Sequence, residues 1–219
     1  MKKIITPEEA VAHIKSGMTL MIGGFLGNGS PHKIIEKILQ SEVCELTLIS
    51  SDSAFPDKGL GRLIADRRVK KLITSHVGTN PLAIEQMNAG TLEVNFVPQG
   101  TIVECIRAAG AGLGGVLTPT GLNTLVEQGK EKITVDGKEY LLEKPLRADV
   151  ALLGATMGDK SGNLIYKGTS QNINPLIATA ADMVIVEVGE LFETGAFEPH
   201  TVHTPGIFVD FIVKCENNY

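Results

Sequence analysis

The stretch from Gly17 to Pro31, GMTLMIGGFLGNGSP, constrains the fold of this 219-residue chain more than any other. Met18 to Ile22 is a short apolar run of the kind that fills a strand buried on both faces. Four glycines follow within seven residues, Gly23, Gly24, Gly27 and Gly29. Ser30 and Pro31 then offer an N-cap and a first helical residue for a segment carrying Ile34, Ile35, Ile38 and Leu39 at helical spacing. The expected order is strand, glycine turn, helix. In an open α/β sheet such a turn lies at the carboxyl end of a strand, where ligands bind. Glycines there let a ligand approach the backbone, and free N–H groups can hold an anion or an oxyanion. The same residues would also serve an ordinary strand-to-helix connection. No Lys-Ser or Lys-Thr pair follows the glycines, which excludes a Walker A loop, and the spacing G-G-x-x-G-x-G is not the dinucleotide fingerprint.

The rest of the chain continues the alternation. Thr6-Pro-Glu-Glu9 reads as a capping box opening a helix that Gly17 closes. Leu46 to Ser50, Leu72 to Ser75 and Leu92 to Val97 read as strands, with a basic helical region from Arg62 to Lys71 between the first two. A helix is expected from Ile102 to Ala109, then a glycine-rich loop from Gly110 to Gly121, then a hairpin turning at Asp136-Gly137. Apolar strands are expected at Val150 to Leu153, Met183 to Val188 and Ile207 to Val213. The pattern predicts one α/β domain over residues 1–219, with an open, mostly parallel sheet covered by helices on both faces and a small hairpin insertion. Polar residues recur where strands should end, at Asn28, Asp52, His76, Asn80, Gln99 and Thr118. Strand ends gather on one edge of such a sheet, so these residues predict a shared cleft.

Composition excludes several functions. With 43% hydrophobic residues the chain can bury a full core, and a net charge of −5 without a basic cluster argues against nucleic acid as a partner. No apolar run is long enough to span a bilayer, and the start, Met1-Lys-Lys-Ile-Ile, lacks a signal-peptide core. Cys44, Cys105 and Cys215 form no C-x-x-C pair, as expected of reduced thiols in a cytoplasmic protein. His200 and His203 are three apart but flanked by Pro199 and Pro205 without an evident third ligand, so no metal site is expected. There is no G-x-S-x-G elbow. His76 could act as a base or simply order its loop. Asn172 and Asn174 are expected to cap a turn, with bracing of the site as the alternative.

The string Leu20-Met-Ile-Gly-Gly-Phe-Leu-Gly-Asn-Gly-Ser-Pro31 resembles the signature of the family I coenzyme A transferases. Val97-Pro-Gln-Gly-Thr101, Leu117-Thr-Pro-Thr-Gly121, Asp159 to Tyr166 and Asn172-Ile-Asn-Pro175 are similar to later motifs of that family, so the resemblance spans about residues 3 to 213. It implies the three-layer CoA-transferase fold. It also implies coenzyme A or an acyl-CoA as substrate, with no permanently bound cofactor and no metal. Gly23, Gly24, Phe25, Leu26, Gly27, Asn28 and Gly29 would contact CoA or an oxyanion. Gln99, Gly114, Gly115 and Thr118 would contact the acyl substrate, Gln99 through a neutral amide able to donate to a carboxylate or thioester oxygen.

The family's catalytic glutamate lies in a Ser-Glu-Asn-Gly stretch that this chain lacks: Ser41-Glu42 continues into Val43, and Glu216-Asn217 into Asn218. The resemblance therefore implies an α subunit with no catalytic nucleophile of its own, completed by a homologous β subunit in a heterodimer or an α2β2 heterotetramer. Gly112 to Thr118 is more similar to acetate/butyrate–acetoacetate transferase subunits than to the succinyl-CoA:3-oxoacid branch. It offers no Arg or Lys for a second carboxylate. A sugar-phosphate isomerase of related fold, which would need cations near the glycine turn where only Lys33 is close, and a non-catalytic acyl-CoA-binding subunit are the alternatives.

Overall fold

The computed structural model describes residues 3–215, so Glu216 and Asn217 lie outside the described residues. Its main sheet has nine strands. Eight follow the order β1 (Lys3–Ile5), β12 (Phe211–Lys214), β11 (Ala181–Phe192), β9 (Ala148–Asp159), β2 (Thr19–Ile22), β3 (Leu46–Ile49), β4 (Val69–Thr74) and β5 (Glu93–Phe96), all parallel. The short β10 (Leu164–Ile165) joins β9 antiparallel. From β2 the chain steps outward through β3, β4 and β5, whereas β9, β11 and β12 lie on the other side. The order thus reverses between β2 and β9, which is where open α/β sheets form a crevice.

Both sheet faces are dry, and β2 shows how. Leu20 and Ile22 enter one apolar core, beneath α1 (Pro7–Val11), α2 (His32–Leu39), α3 (Gly61–Ala65) and α4 (Pro81–Asn88). Met21 enters the other, beneath α5 (Gln99–Gly110) and α6 (Asn174–Ile177). In β9, Val150 and Leu152 join the first core while Ala151, Leu153 and Ala155 join the second, the two-residue period of a strand covered on each side. A separate antiparallel sheet of β6 (Val116–Thr118), β8 (Lys138–Glu143) and β7 (Lys132–Val135) carries the expected hairpin.

Several local expectations are corrected. The capping box at Thr6 is present, with Thr6 Oγ1 accepting from the Glu9 N–H at 3.1 Å, but α1 ends at Val11 and Gly17 sits in the later turn before β2. The basic helical region is only Gly61–Ala65, because Arg67 adopts a left-handed φ of 56° and β4 starts at Val69. The loop from Gly110 to Gly121 contains β6, whose Thr118 pairs with Leu141. The segment Ile207 to Val213 opens with a 3-10 turn at Gly206–Phe208, and its strand begins only at Phe211.

Ser30 is not the N-cap of α2. Its hydroxyl donates to the Gly23 carbonyl at 2.8 Å, and Pro31 occupies the cap position without a side-chain bond. The capping acceptor comes instead from across the sheet. Glu187 of β11 is fully buried, and its Oε2 accepts the Lys33 N–H at 2.8 Å and the Ile34 N–H at 3.1 Å. A carboxylate at a helix N-terminus is favoured by both the orphan N–H groups and the dipole.

Two buried cysteines carry raised thiol pKa values: burial, then Glu143, pushes Cys105 up to about 11, and burial, then Glu187, pushes Cys215 up to about 12. A thiolate is the reactive form. An alkylating reagent at pH 8 should therefore leave Cys105 and Cys215 intact in the native protein and modify both in denaturant, as peptide mass mapping would show. Because the unfolded chain ionises at an ordinary thiol pKa, of about 8.5, the stability these groups lend is complete below that value. It should fall as pH rises through it toward 11, read as a declining urea midpoint.

Candidate active site

The glycine turn is built by the residues that surround it. Phe25 and Asn28 exchange reciprocal backbone bonds of 2.9 Å, closing a two-residue turn with Leu26 at φ 50° and Gly27 at φ 89°. This is the primed turn that fits tight hairpins, and it strains Leu26, which carries a side chain in the left-handed region. Asp52, after β3, holds that residue. The Leu26 N–H donates to its Oδ1 at 3.3 Å, the Ala54 N–H to Oδ1 at 2.7 Å and the Ser51 hydroxyl to Oδ2 at 3.1 Å.

Protein fills the space beside most of the turn's glycines. A Cβ on Gly23 would overlap the Asn174 side chain, one on Gly24 the Ser30 hydroxyl, and one on Gly29 the Ser170 carbonyl. Asn174, fully buried, donates from Nδ2 to the carbonyls of Ser170 at 2.9 Å, Gly29 at 3.1 Å and Gly154 at 3.4 Å. It is therefore a long-range brace rather than a local turn cap. The N–H groups of Gly24, Gly27 and Gly29 have no hydrogen-bond partner among the described residues, although all three glycines are buried and none lines either of the cavities bordered by Gln99.

The ends of β2, β3, β4 and β5 meet at a cavity of 420 Å³. Phe25 and Leu26 line it from the turn, Ser51 and Asp52 from behind β3, Ser75, His76 and Thr79 from behind β4, Gln99 from the first residue of α5, and Asn172 from the loop before α6. The Ser75 hydroxyl lies 2.5 Å from the Ser51 carbonyl oxygen and donates in a short contact to Gln99 Oε1. A second cavity of 450 Å³ lies between α5 and β6, lined by Gln99, Thr101, Val103, Glu104, Leu117 and Thr118 among others. Gln99 borders both.

The coenzyme A transferase family profile matches residues 4–215. The chain belongs to the coenzyme A transferase family. It is 51% identical over 216 residues to the acetate CoA-transferase subunit alpha of Escherichia coli (strain K12), covering 99% of this chain and 98% of that subunit. It is 50% identical over 212 residues to the acetoacetyl-CoA:acetate/butyrate CoA transferase alpha subunit of Clostridium acetobutylicum, covering 97% of each. Among solved structures, the acyl-CoA transferase of E. coli O157:H7 in thioester complex with CoA superposes with a TM-score of 0.87 at 23% identity. That match covers all of this chain and 50% of the other, so the CoA-transferase fold here spans half the length of that protein.

Of the residues nominated from sequence in this transferase, Phe25, Leu26 and Gln99 line the first cavity, and Gln99 and Thr118 the second. Gly23, Gly24, Gly27, Asn28 and Gly29 form the turn's frame. Gly114 and Gly115 line neither cavity; Gly115 packs close to Leu142 and the Glu143 carbonyl, and a Cβ on Gly114 would meet open space. Ser51, Ser75 and Thr79 were not singled out from sequence, although they follow the same strand ends that mark Asp52 and His76. His203 is engaged elsewhere, its Nδ1 accepting the Tyr166 N–H at 3.0 Å, and the described residues contain no cluster of three or more His, Cys, Asp or Glu able to hold a metal. No helix among them is long and apolar enough to cross a membrane.

Asp52→Ala should release the strained turn, since three donors lose one buried acceptor. The expected loss is about 1–3 kcal/mol in a urea titration, with faster amide exchange at Leu26 and Ala54. Asp52→Asn should recover most of it, because the amide oxygen keeps the Leu26 and Ala54 N–H bonds while its NH2 faces the Ser51 hydroxyl, which can accept.

Proposed function

We propose that this chain is the α subunit of a transferase moving CoA between acetoacetyl-, acetyl- or butyryl-CoA and a short-chain monocarboxylate. Residues 1–219 would form one α-subunit domain. A homologous β subunit, in a heterodimer or an α2β2 complex, completes the site. One observation carries the partner requirement: neither cavity offers a free carboxylate nucleophile. Asp52 is 3% exposed and occupied by three donors. In the second cavity, Glu104 pairs with Arg107 at 3.0 Å on the exposed face of α5.

In this reading the partner's glutamate attacks the thioester carbonyl and expels CoA thiolate, leaving a mixed anhydride. The thiolate then attacks the glutamyl carbonyl and releases the first acid, and the glutamyl-CoA thioester passes CoA to the second acid by the reverse sequence. The N–H groups of Gly24, Gly27 and Gly29 are suited to the oxyanion, and Gln99 to an acyl oxygen without adding charge. Thioester energy is conserved throughout, so the reaction calls for no metal, nucleotide or resident cofactor.

The first cavity has no Lys or Arg, and His76 and Asp52 are its titratable residues. A second carboxylate would find no cation there, which favours acetate, butyrate and acetoacetate over dicarboxylates. The two α-subunit relatives are named for acetate, butyrate and acetoacetyl-CoA. Nucleic acid and membrane are not expected partners, and the cytoplasm is the expected location.

The test is CoA transfer from acetoacetyl-CoA to acetate by this chain alone and by the chain co-expressed with its partner. The mixture should be active, with parallel double-reciprocal lines, and the chain alone silent. Activity should vanish when the partner's glutamate is replaced by alanine, and succinate should be a poor acceptor. Turnover by the isolated chain would overturn the composite site.

A further inference from the structure

We infer that Ser75 is a positioning residue that fixes which end of the Gln99 amide faces the substrate. The inference rests on the reading of Gln99 as a substrate contact and extends it to the device that orients that side chain. Gln99 is exposed, at the first turn of α5, on a side chain with three rotatable bonds. Left alone it would sample many rotamers, and holding it in one carries an entropic cost. Ser75 meets it from the end of β4, and Ser75 is itself anchored, its N–H donating to the Ser51 carbonyl at 3.3 Å. The Ser51 carbonyl, the Ser75 hydroxyl and the Gln99 amide thus form a relay joining three neighbouring elements.

Proton count determines the direction of that relay. The Ser75 hydroxyl carries one proton and is in short contact with two groups. Both groups accept it: the Ser51 carbonyl and Gln99 Oε1, the end of the amide that the structure turns toward Ser75. The hydroxyl therefore holds the amide by its oxygen. Half a turn of the amide would leave its shape unchanged, since the two ends are nearly isosteric, so this contact is what distinguishes them. Gln99 consequently presents its NH2 to the cavity.

That orientation is selective. The NH2 donates to a thioester or carboxylate oxygen, where a carbonyl oxygen in its place would repel it. Without Ser75 the amide could reverse, and half of its orientations would oppose the acyl oxygen with an acceptor. Ser75 acts on substrate only through Gln99.

A double-mutant cycle on the enzyme assembled with its partner subunit tests this, with kcat and KM measured for acetoacetyl-CoA and acetate. Ser75→Ala should lower kcat/KM about tenfold, the effect of one hydrogen bond of ordinary strength. Its thermal midpoint should stay close to that of the wild type. Ser75→Thr, which keeps the hydroxyl, should retain activity. Gln99→Ala should lose at least as much as Ser75→Ala, and the double variant should be no worse than Gln99→Ala. Multiplied losses in the double variant, or Ser75→Thr as impaired as Ser75→Ala, would show a structural role and overturn the inference. So would a fully active Ser75→Ala beside an impaired Gln99→Ala. A fully active Gln99→Ala would overturn the reading of Gln99 as a substrate contact, and the inference with it. If alanine lowers the thermal midpoint, Ser75→Cys replaces it in the cycle, keeping the volume without the strong donor.

Discussion

The contact between Gly29 and Gly154 sets the distance from which everything else in the site is measured. The Gly154 N–H donates to the Gly29 carbonyl at 3.1 Å, and a Cβ on Gly154 would lie 2.7 Å from that same oxygen. Glycine on β9 is what lets the turn after β2 fold back onto its neighbouring strand. Asn174 then ties this crossing to the loop before α6, with a side chain in the space that a Cβ on Gly23 would need. Three segments far apart in sequence are fixed at one point, and the Phe25–Asn28 turn projects from it at a defined angle.

Rigidity at that point allows strain farther out. Leu26 is held in a left-handed conformation that costs on the order of 1 kcal/mol, and the bond to Asp52 offsets that cost. A turn anchored on one side by packed glycines and on the other by a buried carboxylate keeps its N–H groups oriented before any ligand arrives. Such preorganisation is what an oxyanion site requires, because donors that must rotate into place spend part of their stabilising effect in doing so.

Much of this was legible in the sequence because alternation and glycine spacing are local signals. The capping box at Thr6, the strands around Met21, Leu48 and Leu72, and the order of strand, turn and helix follow from residues within a few positions of one another. Part of the cleft was legible from polar residues at strand ends: Asp52, His76 and Gln99 line the first cavity and Thr118 the second, whereas Asn28 lines neither and Asn80 is fully buried as the N-cap of α4. Long-range substitutions for local chemistry were not. Ser30 looked like a helix cap because serine before proline usually is one, yet the carboxylate of Glu187, 154 positions beyond Lys33, takes that role. Arg68 looked like part of a basic helix, but its guanidinium leaves that element and donates to the Ser41 carbonyl at 2.8 Å beyond the end of α2. Asn174 reads as a turn residue until its partners, Gly29 and Gly154, are seen beside it. Ser75 has no motif; its part in the cleft follows only from the adjacency of β3, β4 and α5.

Glu187 also bears on which ligands this scaffold can take. The start of a helix following a glycine turn is a common seat for phosphate in α/β proteins. Here that seat is already filled by an acidic side chain of the protein itself. A phosphorylated sugar approaching α2 would meet an anion where it needs a vacancy. The internal carboxylate thus acts as a plug, closing the start of α2 to an outside anion.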